Sequence, residues 1–314
     1  MSTGTLLQVD TEHNVGACCE ATSAQASSRL ADYVELTKPR ILSMVLVTLI
    51  LTSIIATWGQ PNLRLLIHTL IGTTLVAGSA SVFNQWFERH LDAMMRRTEN
   101  RPLPAGRLGH WETCTIGAVA VIAGLLHLYL TVGPQPTFWA AGTWILYVVV
   151  YTPLKTRTWL NTLVGAFPGA MPILVGWTGV GAELDMRAWC LFGLVFFWQF
   201  PHFMAIAWLY RHQYSQAGMQ MLTVIDPTGR RAGVQAIAAA ISVLLVAIAP
   251  AALAPHSSWI YLLGSIVLAV GQLICAYGFA KETTDARARL LLRASLVYLP
   301  LQFLLVTLLN LSLI

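Results

Sequence analysis

Nine long apolar stretches constrain this 314-residue chain more than any other feature of its sequence. A helix needs roughly 20 mostly apolar residues to cross a bilayer, where it satisfies its own backbone hydrogen bonds. The mean hydropathy is +0.64, which is too apolar for an ordinary soluble domain. The stretches run at about 41–58, 63–87, 111–131, 137–153, 160–180, 187–209, 233–253, 258–280 and 289–313.

The positive charges divide sharply between the loops on the two sides of these stretches. Lys and Arg in short loops are retained on the cytoplasmic side of a membrane. With nine spans and the N-terminus inside, only Arg64 and Arg187 fall on the opposite side. The chain is therefore predicted to be an all-α integral membrane protein with a cytoplasmic N-terminus and its C-terminus on the other side.

The first 28 residues have a different composition from the rest. They are rich in Ser, Thr and Ala and carry no Lys or Arg, so we expect 1–28 to form a disordered cytoplasmic tail and 29–314 to form a single polytopic domain. The lack of an Arg-rich presequence favours a bacterial inner membrane over a mitochondrial one. Five cysteines without metal-ligand spacing indicate neither a disulfide framework nor a zinc site.

Three oxygen-bearing side chains, Asn84, Glu88 and Asp92, recur at intervals of four at the end of the second stretch. A helix of about 3.6 residues per turn places all three on one side. Mg²⁺ prefers oxygen ligands and is usually held by one or two carboxylates while substrate phosphates complete its shell. We therefore predict that Asn84, Glu88 and Asp92 bind Mg²⁺, with Glu88 and Asp92 as the catalytic carboxylates.

Arginines follow this acidic face directly. Arg96, Arg97 and Arg101 are predicted to contact a metal-bound diphosphate, and the RPLPAG segment after them is typical of a capping loop or a plain connector. The competing interpretation is a solvated helix end, whose acid and base pairs contribute only ~0.2–0.5 kcal/mol each. A functional site is favoured because the same face continues into a span, where ionisable groups are functional candidates by default.

These residues carry a resemblance. The chain resembles the intramembrane UbiA-type prenyltransferases, and more closely their heme-directed branch, the protoheme IX farnesyltransferases or heme O synthases. The WQFPHF element looks like this branch rather than the quinone-directed one. The matching segments are DYVELTKPRI at 32–41, RRTENRPLPAGR at 96–107, YTPLKTRTWLNTLVGAFPGAMPILVGW at 151–177, WQFPHFMAIAWLYR at 198–211 and AGMQMLTV at 217–224.

The resemblance implies a bundle of nine transmembrane helices around a central cavity, with Mg²⁺ and farnesyl diphosphate held at two acidic motifs. It implies transfer of a farnesyl group to a vinyl substituent of heme b, with addition of water, to give heme o and diphosphate. Ionisation of an allylic diphosphate requires stabilisation of the leaving group, which Mg²⁺ and positioned Arg or Lys groups supply. The implied partners are heme b, farnesyl diphosphate and the lipid bilayer, with heme A synthase or a terminal oxidase assembly as candidates and no nucleic acid.

The matching segments also contain candidate substrate-binding residues. Anchoring at the inner membrane surface is an equally good interpretation for four of them, namely Lys38, Arg40, Lys155 and Arg157. His202 is interpreted either as a contact to heme or as a hydrogen-bonded core histidine. The candidates are Lys38, Arg40, Tyr151, Lys155, Arg157, His202, Arg211 and Tyr214.

The second acidic motif departs from the family pattern. His212 and Gln213 stand where the family carries carboxylates, which puts a second Mg²⁺ site in doubt. Asp226 either replaces them, if its loop folds back, or marks the turn before Pro227 and Gly229.

Two other functions remain open at this point. A small-molecule transporter is compatible with nine apolar helices and intramembrane charges, but it would place substrate groups near the bilayer midplane. Within the enzyme class, the prenyl acceptor could instead be an aromatic acid or a quinone precursor.

Overall fold

The computed structural model describes residues 29–253 and 258–312, and all regular structure in those residues is helical. Nine helical segments there are long and apolar enough to cross a membrane. The predicted all-α architecture with nine spans is therefore confirmed for the described residues. The predicted disordered tail, residues 1–28, lies outside them.

The helices follow one another along the chain with short connections. One six-residue π-helical segment, Leu146–Tyr151, lies between α5 and α6. The α-helices are α1 (Arg29–Leu36), α2 (Pro39–Ala56), α3 (Leu63–Asp92), α4 (His110–Thr131), α5 (Pro134–Ile145), α6 (Thr152–Leu154), α7 (Asn161–Ala170), α8 (Pro172–Gly179), α9 (Met186–Leu209), α10 (Arg211–Gln216), α11 (Leu222–Ile225), α12 (Arg230–Leu253), α13 (Trp259–Lys281) and α14 (Asp285–Asn310).

Local sequence explains where several spans begin. The Asn62 side chain accepts hydrogen bonds from two backbone amides of the first turn of α3, and Asp185 does the same for α9. Pro39 and Pro134 lie in the first turns of α2 and α5, where a backbone N–H has no partner within the helix, so the missing N–H of proline costs no hydrogen bond.

Two predicted spans are not single regular helices. The fourth widens into the π-helical segment before Pro153, which has no N–H and whose ring crowds the carbonyl of the preceding turn. The fifth, predicted at 160–180, breaks at Met171, and Pro172 begins a new helix. Both irregularities remain within the predicted limits of their spans.

Two helices extend beyond their predicted bounds by four or five residues because polar residues continue them past the apolar stretch. Helix α3 runs five residues beyond position 87, so it includes Glu88 and Asp92, as the predicted face of three oxygen-bearing side chains requires. Helix α14 begins at Asp285 instead of 289, with Thr284 capping its first turn.

Helix backbones approach each other closely in both the N-terminal and the C-terminal half of the chain. A Cβ atom on Gly124 of α4 would lie 3.0 Å from the carbonyl oxygen of Gly72 on α3, and one on Gly233 of α12 would lie 2.7 Å from Cα of Ala280 on α13. Small residues at such crossings are typical of helix packing in membranes. Large apolar side chains such as Ile122 and Leu245 point outward, as a bundle surrounded by hydrocarbon requires.

Several connections meet at one end of the bundle, which we call the loop-capped end; it comprises residues 93–109, 155–160, 210–229 and 282–284. The Met95 and Tyr214 side chains pack together in one apolar cluster, and the Arg97 guanidinium lies 5.1 Å from the centre of the Tyr210 ring. The backbone N–H of Gln220 donates to the carbonyl of Lys155 at 2.7 Å. These contacts join loops from both halves of the chain into one cover.

Candidate active site

The last three turns of α3 present Asn84, Glu88 and Asp92 to the protein interior. Their side chains are buried, with 1%, 5% and 1% of the residue surface exposed. The spacing of four residues in a continuous helix places them one above another on the same side. The helix thus brings an amide and two carboxylates together beneath the loop-capped end.

Each of these three groups faces a cation from a different segment of the chain. Burial of a carboxylate requires a partner, and here the partners come from the α1–α2 junction, the segment after α6 and the loop after α3. The pairs are Lys38 Nζ to Asn84 Oδ1 at 2.5 Å, Lys155 Nζ to Glu88 Oε1 at 2.6 Å, and Arg101 Nη1 to Asp92 Oδ2 at 2.7 Å.

An unusual backbone conformation directs Lys38 toward this site. Its φ of 52° and ψ of 64° lie in the left-handed region, which non-glycine residues rarely adopt. Such strain at a non-glycine residue is frequent at functional sites. Burial and the nearby Arg101 charge lower the pKa of Lys38 to about 7.

Lys155 is held between an aromatic ring and a carboxylate. Its Nζ lies 4.7 Å from the centre of the Tyr151 ring, and the Tyr147 ring stands 5.5 Å from that of Tyr151. Burial lowers the pKa of Lys155, but the facing Glu88 carboxylate outweighs this effect and raises the pKa above its ordinary value. Lys155 is therefore a fixed positive charge at the site.

The π-helical segment orients Asn84. The Thr152 hydroxyl donates to the Tyr147 carbonyl at 2.8 Å, five residues earlier, and accepts a hydrogen bond from Asn84 Nδ2 at 3.1 Å. With its nitrogen bound to Thr152, the Asn84 amide turns its oxygen toward Lys38. Thr152 was not among the residues predicted from the sequence, although a threonine before Pro153 at the end of an apolar span was the available signal.

The other predicted residues have different surroundings. Arg40, Arg96 and Arg157 are exposed and make no side-chain hydrogen bond or ion pair in the part of the chain that the structure describes. Arg211 bonds the Asp285 carboxylate at 3.0 Å and lies over the Trp208 ring, so it joins α14 to the loop-capped end. These four side chains do not contact Asn84, Glu88 or Asp92.

His202 lies on α9 with its ring facing α14, away from the contacts that surround Asn84. Its Nδ1 is 2.9 Å from the Ser295 hydroxyl, and its ring stacks on Trp198 with ring centres 5.0 Å apart. Trp198 in turn donates from its indole N–H to the Ser295 carbonyl. This environment fits a hydrogen-bonded histidine, and a role toward heme stays a prediction.

The second motif supplies no carboxylate to the site. His212 is exposed, and Gln213 has a buried side-chain oxygen without a hydrogen-bond partner among the described residues. Asp226 accepts hydrogen bonds from Thr228 and from the Arg231 backbone at the start of α12. Those hydrogen bonds lower the pKa of Asp226, which marks the turn rather than folding back to the site.

The residues on α3 fit a magnesium ion that is shared with a phosphate ligand. No group of three or more His, Cys, Asp and Glu side chains in the described ranges is arranged to hold a metal ion by itself. Two carboxylates and an amide oxygen are instead the partial oxygen set that Mg²⁺ takes when substrate phosphates complete its shell. The three cations around them suit the anionic oxygens of the same ligand.

Comparison with known proteins supplies independent evidence. A family profile described as the UbiA prenyltransferase family matches residues 45–298. The chain is 42% identical to the protoheme IX farnesyltransferase of Rhodopirellula baltica, with 88% of this chain and 98% of the relative covered. It is 40% identical to the protein of that name from Solibacter usitatus, with 87% and 96% covered.

Solved structures share the fold at low sequence identity. A digeranylgeranylglyceryl phosphate synthase superposes with a TM-score of 0.78 at 16% identity, covering 90% of this chain and 99% of that chain. A UbiA homolog from Archaeoglobus fulgidus bound to GPP and Mg²⁺ superposes with a TM-score of 0.65 at 14% identity, covering 88% and 99%. At these identities the likeness concerns the fold.

Proposed function

Because the chain belongs to the UbiA prenyltransferase family, we propose that it transfers a farnesyl group from farnesyl diphosphate to the vinyl group of heme b. Water adds in the same reaction, and the products are heme o and diphosphate. The observation that carries prenyl transfer is the buried face of α3 formed by Asn84, Glu88 and Asp92, which we call the oxygen face. Three cations pair with it. The names of curated relatives at 36–42% identity support heme b as the acceptor.

In this proposal the α3 residues hold the diphosphate end of the donor with Mg²⁺. Asn84, Glu88 and Asp92 would hold the metal, and a relative of the same fold binds GPP and Mg²⁺. Mg²⁺, when bound, supplies a positive charge that stabilises the departing diphosphate. Lys155 and Arg101, which pair with Glu88 and Asp92, would bind diphosphate oxygens of the same ligand.

The loop-capped end keeps water from the reacting carbon. Cleavage of the bond between the allylic carbon and the diphosphate oxygen leaves an electron-poor prenyl carbon, which bulk water would otherwise capture. The Met95 and Tyr214 cluster closes this end above the oxygen face. The vinyl carbon of heme b then attacks the prenyl carbon, and one water molecule adds to the resulting cation and releases a proton.

His202 and the unpaired cations are assigned to the acceptor. Heme carries two propionates, and the exposed guanidinium groups of Arg40, Arg96 and Arg157 are the cations that the oxygen face does not use. His202 stacks on Trp198 and can present its other ring nitrogen to the macrocycle. In this arrangement heme approaches from the end of the bundle where the diphosphate lies.

We also propose an orientation and a location. Since nearly all Lys and Arg outside the spans lie at the loop-capped end, this end faces the cytoplasm of a bacterial inner membrane. Residues 29–314 act as one polytopic domain behind a cytoplasmic tail. Heme A synthase or a terminal oxidase assembly is the proposed recipient of heme o.

Incubation of the purified protein with Mg²⁺, farnesyl diphosphate and heme b tests the reaction. We expect mass spectrometry to detect heme that has gained one farnesyl group and one hydroxyl group, together with one diphosphate for each turnover. Turnover of an aromatic acid without any heme product would favour the alternative acceptor. Uptake of labelled substrate into liposomes without chemical change would favour a transporter, although the charges cluster at one end rather than at the midplane.

Replacement of Thr152 tests how Asn84 is positioned. Thr152→Val removes the hydroxyl that holds Asn84 Nδ2, so we expect a fall in activity of about 10–100-fold, the usual effect of losing a residue that orients a metal ligand. Thr152→Ser keeps the hydroxyl and should restore most of the rate. The loss should appear mainly as a higher Mg²⁺ requirement; an unchanged Mg²⁺ dependence in Thr152→Val would contradict this positioning role.

A further inference from the structure

The interface of α13 and α14 contains a groove that the proposed reaction does not use. Its volume is about 370 Å³, within the ~300–1,000 Å³ range of small-molecule sites. A Cβ atom added to Gly271, on one wall, would meet nothing within 4 Å. Val267 and Val297 line the groove and are 61% and 56% exposed. The groove therefore opens outward from the bundle, toward the bilayer.

Two buried polar side chains line this groove without a partner. Gln272 is 2% exposed, and neither its amide oxygen nor its amide nitrogen forms a hydrogen bond among the described residues. The Tyr298 hydroxyl is also unpartnered, and the residue is 1% exposed. Buried polar groups are nearly always hydrogen-bonded in native proteins. Both polar groups are buried behind the groove surface, and Tyr298 packs inward against Val243 and Ala269, so they do not supply the contact that selects a ligand in the groove.

A charged residue lies beside them at membrane depth. Arg293 lines the groove eight residues after the start of α14, about 12 Å along the helix. Within the described ranges its guanidinium has no ion pair or hydrogen bond, whereas Arg287 and Arg289 on the same helix have carboxylate partners. A helical side chain leans toward the N-terminus of its helix, so this charge leans toward the loop-capped end. The start of α14 lies at the loop-capped end, because Asp285 in its first turn pairs with Arg211 of that end.

We propose that this groove binds an anionic phospholipid from the leaflet at the loop-capped end. The lipid phosphate pairs with Arg293, and one acyl chain lies over Gly271 against Val267 and Val297. A basic pocket between membrane helices is a recognised arrangement for such headgroups. The ligand comes from the bilayer because the groove faces the bilayer. The ligand is anionic because no described residue provides a counter-ion for Arg293. This site does not depend on the proposed reaction.

Native mass spectrometry of the full chain in detergent tests the site. The protein is titrated with phosphatidylglycerol or with phosphatidylcholine of the same acyl chains. We expect the first bound lipid to be phosphatidylglycerol, with affinity at least about fivefold higher than that of phosphatidylcholine. Arg293→Gln should abolish this preference. Equal affinity for the two lipids, or an unchanged preference in the variant, would overturn the proposal.

Two further variants separate the groove from general surface charge. Arg289→Gln removes the same charge one turn earlier on α14 and should keep the preference; a loss equal to that of Arg293→Gln would overturn the assignment. Gly271→Leu should fill the groove and exclude both lipids, while thermal unfolding in detergent checks that each variant is folded. Displacement of the phosphatidylglycerol by equimolar farnesyl diphosphate would indicate that the groove binds the prenyl donor, and this result would also overturn the proposal.

Discussion

Replacing Asp92 with asparagine is expected to reduce farnesyl transfer by at least about 10²-fold while the protein stays folded. The substitution keeps the size of the side chain and removes only its negative charge. Asp92 is the less exposed of the two carboxylates of the oxygen face and bonds Arg101 at 2.7 Å. A metal ion that stabilises a leaving group contributes several kcal/mol, and each ~1.4 kcal/mol is tenfold in rate. The measurement is diphosphate release at saturating Mg²⁺ and farnesyl diphosphate.

Asp32→Asn is the matched control for this prediction. Asp32 is also a buried carboxylate and pairs with Arg107 of the same loop at 2.8 Å, but it does not belong to the oxygen face. We expect both variants to show similar changes in thermal unfolding, and only Asp92→Asn to lose transfer. Mn²⁺ binding, followed by electron paramagnetic resonance, should weaken in Asp92→Asn alone. Full transfer activity in Asp92→Asn would remove Asp92 from the proposed metal site.

The number of spans could be predicted from the sequence because the bilayer sets the length of each span, its hydropathy and the charge of the loops between spans. The irregularities inside the spans could not be predicted, because hydropathy does not show which backbone hydrogen bonds form. Pro153 and Pro172 indicated disturbed helices. They did not indicate that the turn before Thr152 would widen into a π-helical segment and carry a hydroxyl to Asn84.

The oxygen face was predictable, whereas its three partners could only be named as members of a larger set of candidate cations. Intervals of four within one helix are a local property, so Asn84, Glu88 and Asp92 could be placed together from the sequence alone. Their cationic partners come from three separate segments, and the sequence presented them beside other candidates, such as Arg40 and Arg157, without separating the two groups. The structure brings Lys38 and Lys155 to the oxygen face while other cations of the same segments remain exposed. That selection depends on tertiary contacts between loops.

Lys155→Met is expected to affect both stability and substrate binding. It leaves the Glu88 carboxylate, whose side chain is 6% exposed, without the ammonium 2.6 Å away. Breaking a buried ion pair from one side costs about 3–5 kcal/mol, so thermal unfolding in metal-free detergent should occur at a clearly lower temperature. Glu88→Gln in the same chain removes the unpaired charge and should restore most of the lost stability.

Lys155 has two proposed roles, which are to neutralise Glu88 and to bind the diphosphate. Added Mg²⁺ separates them, because the metal can neutralise Glu88 but cannot replace the hydrogen bond from Lys155 to the diphosphate. Saturating Mg²⁺ is therefore expected to restore the thermal stability of Lys155→Met, while the KM for farnesyl diphosphate remains raised by at least about tenfold, as for a lost charge-assisted hydrogen bond. Lys155→Arg keeps the charge and should show a much smaller rise. If saturating Mg²⁺ restored the KM together with the stability, Lys155 would serve only as the counter-ion of Glu88, and the leaving diphosphate would have to be bound by Arg101 and Lys38 without it.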